Sequence, residues 1–131
     1  RRDWSSDVCS SDLNRGAAAA RLATLPLRRI QDALLEAGIP ARLSSTAGTF
    51  LCNATLYSFL GEVEDSGKAV RCGFMHLPYA PKQVADMIAE TRAEHSLELH
   101  QRADISSMSL ETMAEAVRIA LSITLADDTD G

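Results

Sequence analysis

Two residues of this chain have the types and the setting needed for acyl transfer: Cys52 and His76. A thiolate is a strong nucleophile, and a histidine within reach can hold its proton and later pass it to a leaving group. Cys52 lies in Gly48-Thr49-Phe50-Leu51-Cys52-Asn53. A glycine ahead of a strand-to-helix turn lets the backbone bend sharply. A thiol at the start of the helix that follows meets the positive end of the helix dipole and unbonded N–H groups, which favour thiolate. The same N–H groups can hold the oxyanion of a tetrahedral intermediate. The competing reading is a small buried hydrophobe, the usual fate of a free cysteine. His76 ends an apolar run and precedes Leu77-Pro78. There it can point into the cleft at the end of a sheet, where open α/β sheets place ligands; the competing reading is a structural histidine bonded to backbone.

The other reactive side chains carry less. Cys72 stands inside the apolar run and reads as core, and Cys9 lies near the N-terminus. His95 and His100 fall in a charged segment and read as solvent-exposed. Tyr79 either lines a cleft after His76 or packs, and the acids from Glu62 to Asp65 read as a solvated turn. There is no Cys-x-x-Cys pair, and the histidines lack metal-ligand spacing with the cysteines, so neither a zinc site nor another metal is expected.

The elements that must position Cys52 and His76 follow from punctuation and period. Leu27, Ile30, Leu34 and Leu35 recur at helical spacing between Pro26, expected in the first turn, and Gly38, which predicts a helix from Leu27 to Ala37. Ala41 to Ser45 reads as a short strand and Thr46 to Thr49 as a turn. A helix is expected from Phe50 to Gly61, with Leu51, Leu56, Phe59 and Leu60 as its buried face, and a polar connection from Glu62 to Lys68. Ala69 to His76 suits a strand buried on both faces of a sheet. Lys82 to Glu94 reads as a half-exposed helix, and Glu98 to Ser107 as a loop. Ser109 is an N-cap for a last helix whose stripe is Leu110, Met113, Ala114, Val117, Leu121 and Leu125. An acidic tail closes the chain from Asp127 to Gly131.

This alternation is that of an α/β protein. Two parallel strands joined by a helix would bring Cys52 and His76 to the same sheet edge. Two strands are nonetheless too few to bury the faces of a sheet, so part of a domain is expected to be missing.

The chain has 131 residues, 46% of them hydrophobic and 24% charged, with net charge −5. That is one globular core's worth of sequence. The negative balance and the lack of any basic stretch longer than a pair, such as Arg28-Arg29, argue against a nucleic-acid partner. No apolar run reaches the roughly 20 residues that span a bilayer, so no membrane partner is expected. Three unpaired-looking cysteines point to a reducing, cytoplasmic setting. Asp3 to Leu13, DWSSDVCSSDL, has no helical or strand period and resembles the translation of a sequencing-library adapter. Residues 1–13 are thus read as non-native or as a disordered tail, and residues 14–131 as part of a single α/β domain.

Several blocks now carry a resemblance. Leu25-Pro26-Leu27-Arg28-Arg29-Ile30, Gly38-Ile39-Pro40, Thr46-Ala47-Gly48-Thr49-Phe50-Leu51-Cys52-Asn53 and Gly73-Phe74-Met75-His76-Leu77-Pro78-Tyr79 occur in order. With Ser107 to Glu111, they resemble successive landmarks of the pyroglutamyl-peptidase (pyrrolidone-carboxylate peptidase) family of cysteine peptidases, over roughly Gly16 to Leu125. The resemblance implies a three-layer α/β/α sandwich, of which this chain is an incomplete C-terminal part. It implies removal of N-terminal pyroglutamyl residues from peptides, with Cys52 as nucleophile, His76 as base, and Phe50 and Leu51 enclosing the lactam ring. It implies no cofactor, a cytoplasmic enzyme and a homo-oligomer, often a tetramer.

The chain departs from the family pattern in three respects. The glutamate that completes the family's triad lies upstream of the cysteine block, and Asp32 and Glu36 belong to the first helix instead. The upstream strands and much of the lactam pocket are also lacking, and Lys82 to Arg102 has no close match. The chain as written is therefore expected to be inactive or unstable. Two other readings stay open: a cysteine hydrolase of similar fold with another acyl or amide substrate, and a helical interaction module in which Cys52 and Cys72 are core.

Overall fold

The computed structural model describes residues 18–93 and 105–127. They form four helices: α1 (Leu27–Glu36), α2 (Leu51–Ser66), α3 (Pro81–Ala93) and α4 (Leu110–Asp127). The chain divides into two compact units. Residues 18–25 and 44–74 form the described part of the first, and residues 26–43, 75–93 and 105–127 that of the second.

In the second unit α1 packs against α4. Ile30, Leu34 and Ile39 are buried on one side, and Met113 and Ala116 on the other. Burying each large side chain of this kind stabilises by roughly 1.5–3 kcal/mol. The end of α1 is built by sequence. Gly38 takes φ +73°, a left-handed conformation that an L side chain rarely adopts. Its N–H donates to the carbonyl of Leu35 at 3.0 Å, and that of Ile39 to the carbonyl of Leu34 at 2.8 Å. This is a Schellman closure, which satisfies carbonyls that the helix leaves over.

The later helices begin with side-chain caps. Pro81 opens α3, and the Gln83 side chain reaches back to accept from the N–H of Ala80 at 2.8 Å. Ser109 Oγ accepts the N–H of Thr112 at 3.1 Å, as its capping role predicted. Just ahead of α4, Ser107 makes an isolated parallel bridge with Tyr79, and Met108 N–H donates to the carbonyl of Tyr79 at 2.9 Å.

In the first unit α2 carries the buried Leu60 and Gly61. Residues 18–25 and 69–74 run beside it without regular structure. Thr24 and Cys72 pair there: Thr24 N–H donates to the Cys72 carbonyl at 2.8 Å, and Cys72 N–H to Thr24 Oγ1 at 2.7 Å.

Four expectations need correction. Residues 41–45 and 69–76 form no strand, and among the described residues there is no sheet. A strand exists only where a neighbour takes its alternate N–H and C=O groups in a regular ladder, and among the described residues the run 69–76 pairs with Thr24 at Cys72 without being part of one. Second, α2 does not stop at Gly61 but runs to Ser66, where Gly67 at φ +62° ends it; the acids taken for a turn are its last turns. Third, the stripe assigned to α4 is mostly outside: Leu110, Val117, Leu121 and Leu125 are exposed, and the buried face carries Met113 and Ala116. Fourth, Leu51 and Phe59 of α2 are exposed as well. No helix among the described residues is long and apolar enough to cross a membrane.

Candidate functional site

The approach to Cys52 is a turn of small hydroxyl residues. Ser44 Oγ donates to the carbonyl of Thr46, and Thr46 Oγ1 accepts the N–H of Gly48 at 3.0 Å. Gly48 takes φ +99°, and Ala47 is buried. The chain then turns into α2 at Phe50, whose carbonyl accepts the N–H groups of Asn53 and Ala54, both at 3.1 Å. Phe50 is the N-cap and no side chain caps the turn. Cys52 is the second residue of the helix, partly buried and outside any disulfide. The expected setting of a thiol in the first turn of a helix is therefore met. Such a turn has N–H groups with no partner inside the helix.

Phe50 is 85% exposed and Leu51 70% exposed. Leu51 also borders an open depression of about 390 Å³ along α2, lined by Ala54, Thr55, Ser58, Phe59 and Glu62. Cys52 is not among its lining residues.

His76 belongs to the second unit, and its side chain is exposed. Tyr79, three residues on, is half exposed and is held through its backbone to Ser107. Cys72 is partly buried rather than fully core. His95, His100 and Cys9 lie outside the described residues. Asp32 and Glu36 are exposed on α1.

Sequence reasoning missed one cluster in the first unit. Arg21 stands in an Ala-rich stretch that gave no direction. Its Nε donates to Glu64 Oε2 at 2.9 Å, and its guanidinium lies 4.3 Å from the centre of the Tyr57 ring. The hydrogen bond to Glu64 holds the guanidinium above its ordinary pKa. Tyr57 Oη donates in turn to the carbonyl of Ala18 at 2.5 Å. The one available signal was a lone arginine among alanines and leucines, a residue that seeks a planar partner.

Comparison with known proteins gives the setting of these residues. The model of the pyroglutamyl peptidase family matches residues 5–127. A pyrrolidone-carboxylate peptidase of Thermococcus kodakarensis is 37% identical over 114 residues, which cover 87% of this chain and 48% of that protein. One from Pectobacterium carotovorum is 49% identical over 67 residues, 51% of this chain and 31% of the relative. The crystal structure of the pyrrolidone carboxyl peptidase of Pyrococcus furiosus is similar with a TM-score of 0.73 at 34% identity, covering 87% of this chain and 50% of that one. The chain thus spans about half the length of the relatives it matches, and its fold is the corresponding part of theirs. This protein belongs to the pyroglutamyl peptidase family.

Proposed function

We propose that this chain carries the nucleophile and the base of a cysteine peptidase that removes N-terminal pyroglutamyl residues from peptides. The observation that carries the reading is the thiol of Cys52 in the uncapped first turn of α2, within a chain of this family. The Cys52 thiolate attacks the carbonyl of the pyroglutamyl residue while His76 holds the thiol proton. The oxyanion that forms is held by N–H groups of the α2 first turn. Collapse breaks the C–N bond, and His76 passes its proton to the leaving amine. Water, deprotonated by His76, then hydrolyses the thioester and restores the thiol. Phe50 and Leu51, both apolar and exposed, are suited to enclose the lactam ring.

The rest of the reading concerns the whole protein. It is a cytoplasmic homo-oligomer, tetrameric as in the family, with no metal, nucleic acid or membrane in its chemistry. Its domain is a three-layer α/β/α sandwich, of which residues 14–131 are the C-terminal part. The glutamate that orients His76 belongs to the upstream part, and this chain alone is inactive.

The test is release of a fluorescent amine from a pyroglutamyl amide, using this chain joined to its native upstream region. Cys52→Ala and His76→Ala are each expected to lower kcat by about 10³ or more. Turnover that survives both substitutions, or a folded enzyme that hydrolyses other acyl amides in preference, overturns the assignment.

A further inference from the structure

Residues 18–25 hold two parts of the first unit at once. On one side, Ala18 accepts from Tyr57 Oη, and Arg21 meets Tyr57, Gly61 and Glu64 of α2. These three residues recur at i, i+4 and i+7 and so share one helix face. On the other side, Thr24 pairs with Cys72, and Leu25 lies against Gly73. Arg21 is the central member, with a side chain only 12% exposed. Its guanidinium lies close over Gly61: a Cβ there would stand 3.2 Å from Arg21 Cζ, so the guanidinium would have to give by a few tenths of an ångström.

A helix moves as a rod, so a grip on one face fixes both its rotation and its position along the axis. Cys52 lies five residues before Tyr57, about 7.5 Å along the same rod at 1.5 Å per residue. A shift of about 1 Å in a reacting atom can lower a rate 10²-fold. We propose that Arg21 is a positioning residue: stacked on Tyr57, bonded to Glu64 and seated on Gly61, it fixes the position of α2 and thereby that of the Cys52 thiol. A planar, forked cation suits this role and an ammonium does not, because only the former can stack and bond at once. The inference rests on the proposed function for its catalytic meaning, but the seating of Cys52 can be read without it.

Gly61→Ala separates positioning from simple stabilisation. Alanine is the better helix former, so a helix that merely needed to be stable would gain. If the seat matters, the shift of a few tenths of an ångström that the new methyl forces on the guanidinium is passed to α2. In the chain as given, the rate of Cys52 alkylation by iodoacetamide, measured by peptide mass spectrometry relative to Cys72, is expected to change at least threefold in both Gly61→Ala and Arg21→Ala. In the enzyme joined to its upstream region, both variants are expected to lose about tenfold in kcat with KM changed less than threefold, and Arg21→Lys not to restore it. Should Arg21→Ala fail to fold, Gly61→Ala and Glu64→Gln decide. Unchanged alkylation ratios and unchanged kcat in Gly61→Ala overturn the positioning role. If the unsubstituted enzyme shows no turnover, the peptidase reading fails, and the alkylation ratios alone decide the seat of Cys52.

Discussion

Helices α2 and α4 begin in opposite ways. Helix α4 starts on Ser109, whose hydroxyl closes the first turn on the N–H of Thr112. Helix α2 starts on Phe50, which has no group to offer, and the next residues are an exposed leucine and the candidate nucleophile. A cap consumes the N–H groups that an anion would otherwise bind. The difference shows how one local device serves two ends: a capped start contributes stability, and a bare start keeps its donors for a ligand at some loss of stability.

The comparison can be broken most forcefully in the core. Leu34→Ala removes a buried side chain of α1 that lies in the layer packed on α4, and is expected to lower stability by about 2–5 kcal/mol, read by chemical denaturation. Leu51→Ala, at the exposed head of α2, is expected to stay within about 0.5 kcal/mol. Equal losses would mean that packing holds the head of α2 as firmly as it holds α1.

Giving α2 the start that α4 has sharpens it further. Phe50→Ser supplies a hydroxyl where an N-cap acts, and is expected to stabilise the helix by about 1 kcal/mol. In the upstream-joined enzyme it should also lower kcat by roughly tenfold to hundredfold relative to Phe50→Ala, because the hydroxyl competes for donors meant for the oxyanion. A Phe50→Ser enzyme as fast as Phe50→Ala would show that those N–H groups take no part.

The converse change takes the cap away from α4. Ser109→Ala is expected to cost about 1 kcal/mol. Glu111, in the first turn of α4, has its carboxyl held below the usual carboxylate range, first by its own backbone N–H and then by Ser109. A lowered carboxylate adds stability that is present above its unfolded pKa and lost as pH falls through the folded value. Removing the Ser109 contribution raises that folded value, so the acid transition of α4, followed by circular dichroism, should move to higher pH.

The helices were legible because their ends are local. Pro26, Gly38, Pro81 and Ser109 each mark a boundary through their own backbone or side chain, and α1, α3 and α4 begin or end beside them. The placing of Cys52 was legible for the same reason. The tail of α2 was misread because Glu62, Glu64 and Asp65 look like a solvated turn, yet Glu64 meets Arg21, 43 positions earlier in the chain. The strands were misread for a related reason. Apolar content marks a segment that could be buried, but a ladder depends on partners distant in sequence, such as Thr24 for residue 72. For α4, the period revealed a helix without showing which of its two apolar faces meets α1. Whether Cys52 and His76 act as a pair is a matter for the turnover test, since each belongs to its own unit.

The contact of Leu25 with Gly73 bears on how this chain can change over generations. A Cβ at residue 73 would stand 2.4 Å from Leu25 Cδ1, closer than atoms can approach. Drift at these two positions is therefore coupled. A side chain gained at 73 requires that Leu25 move aside or that residue 25 already be smaller, so what one position tolerates depends on the state of the other.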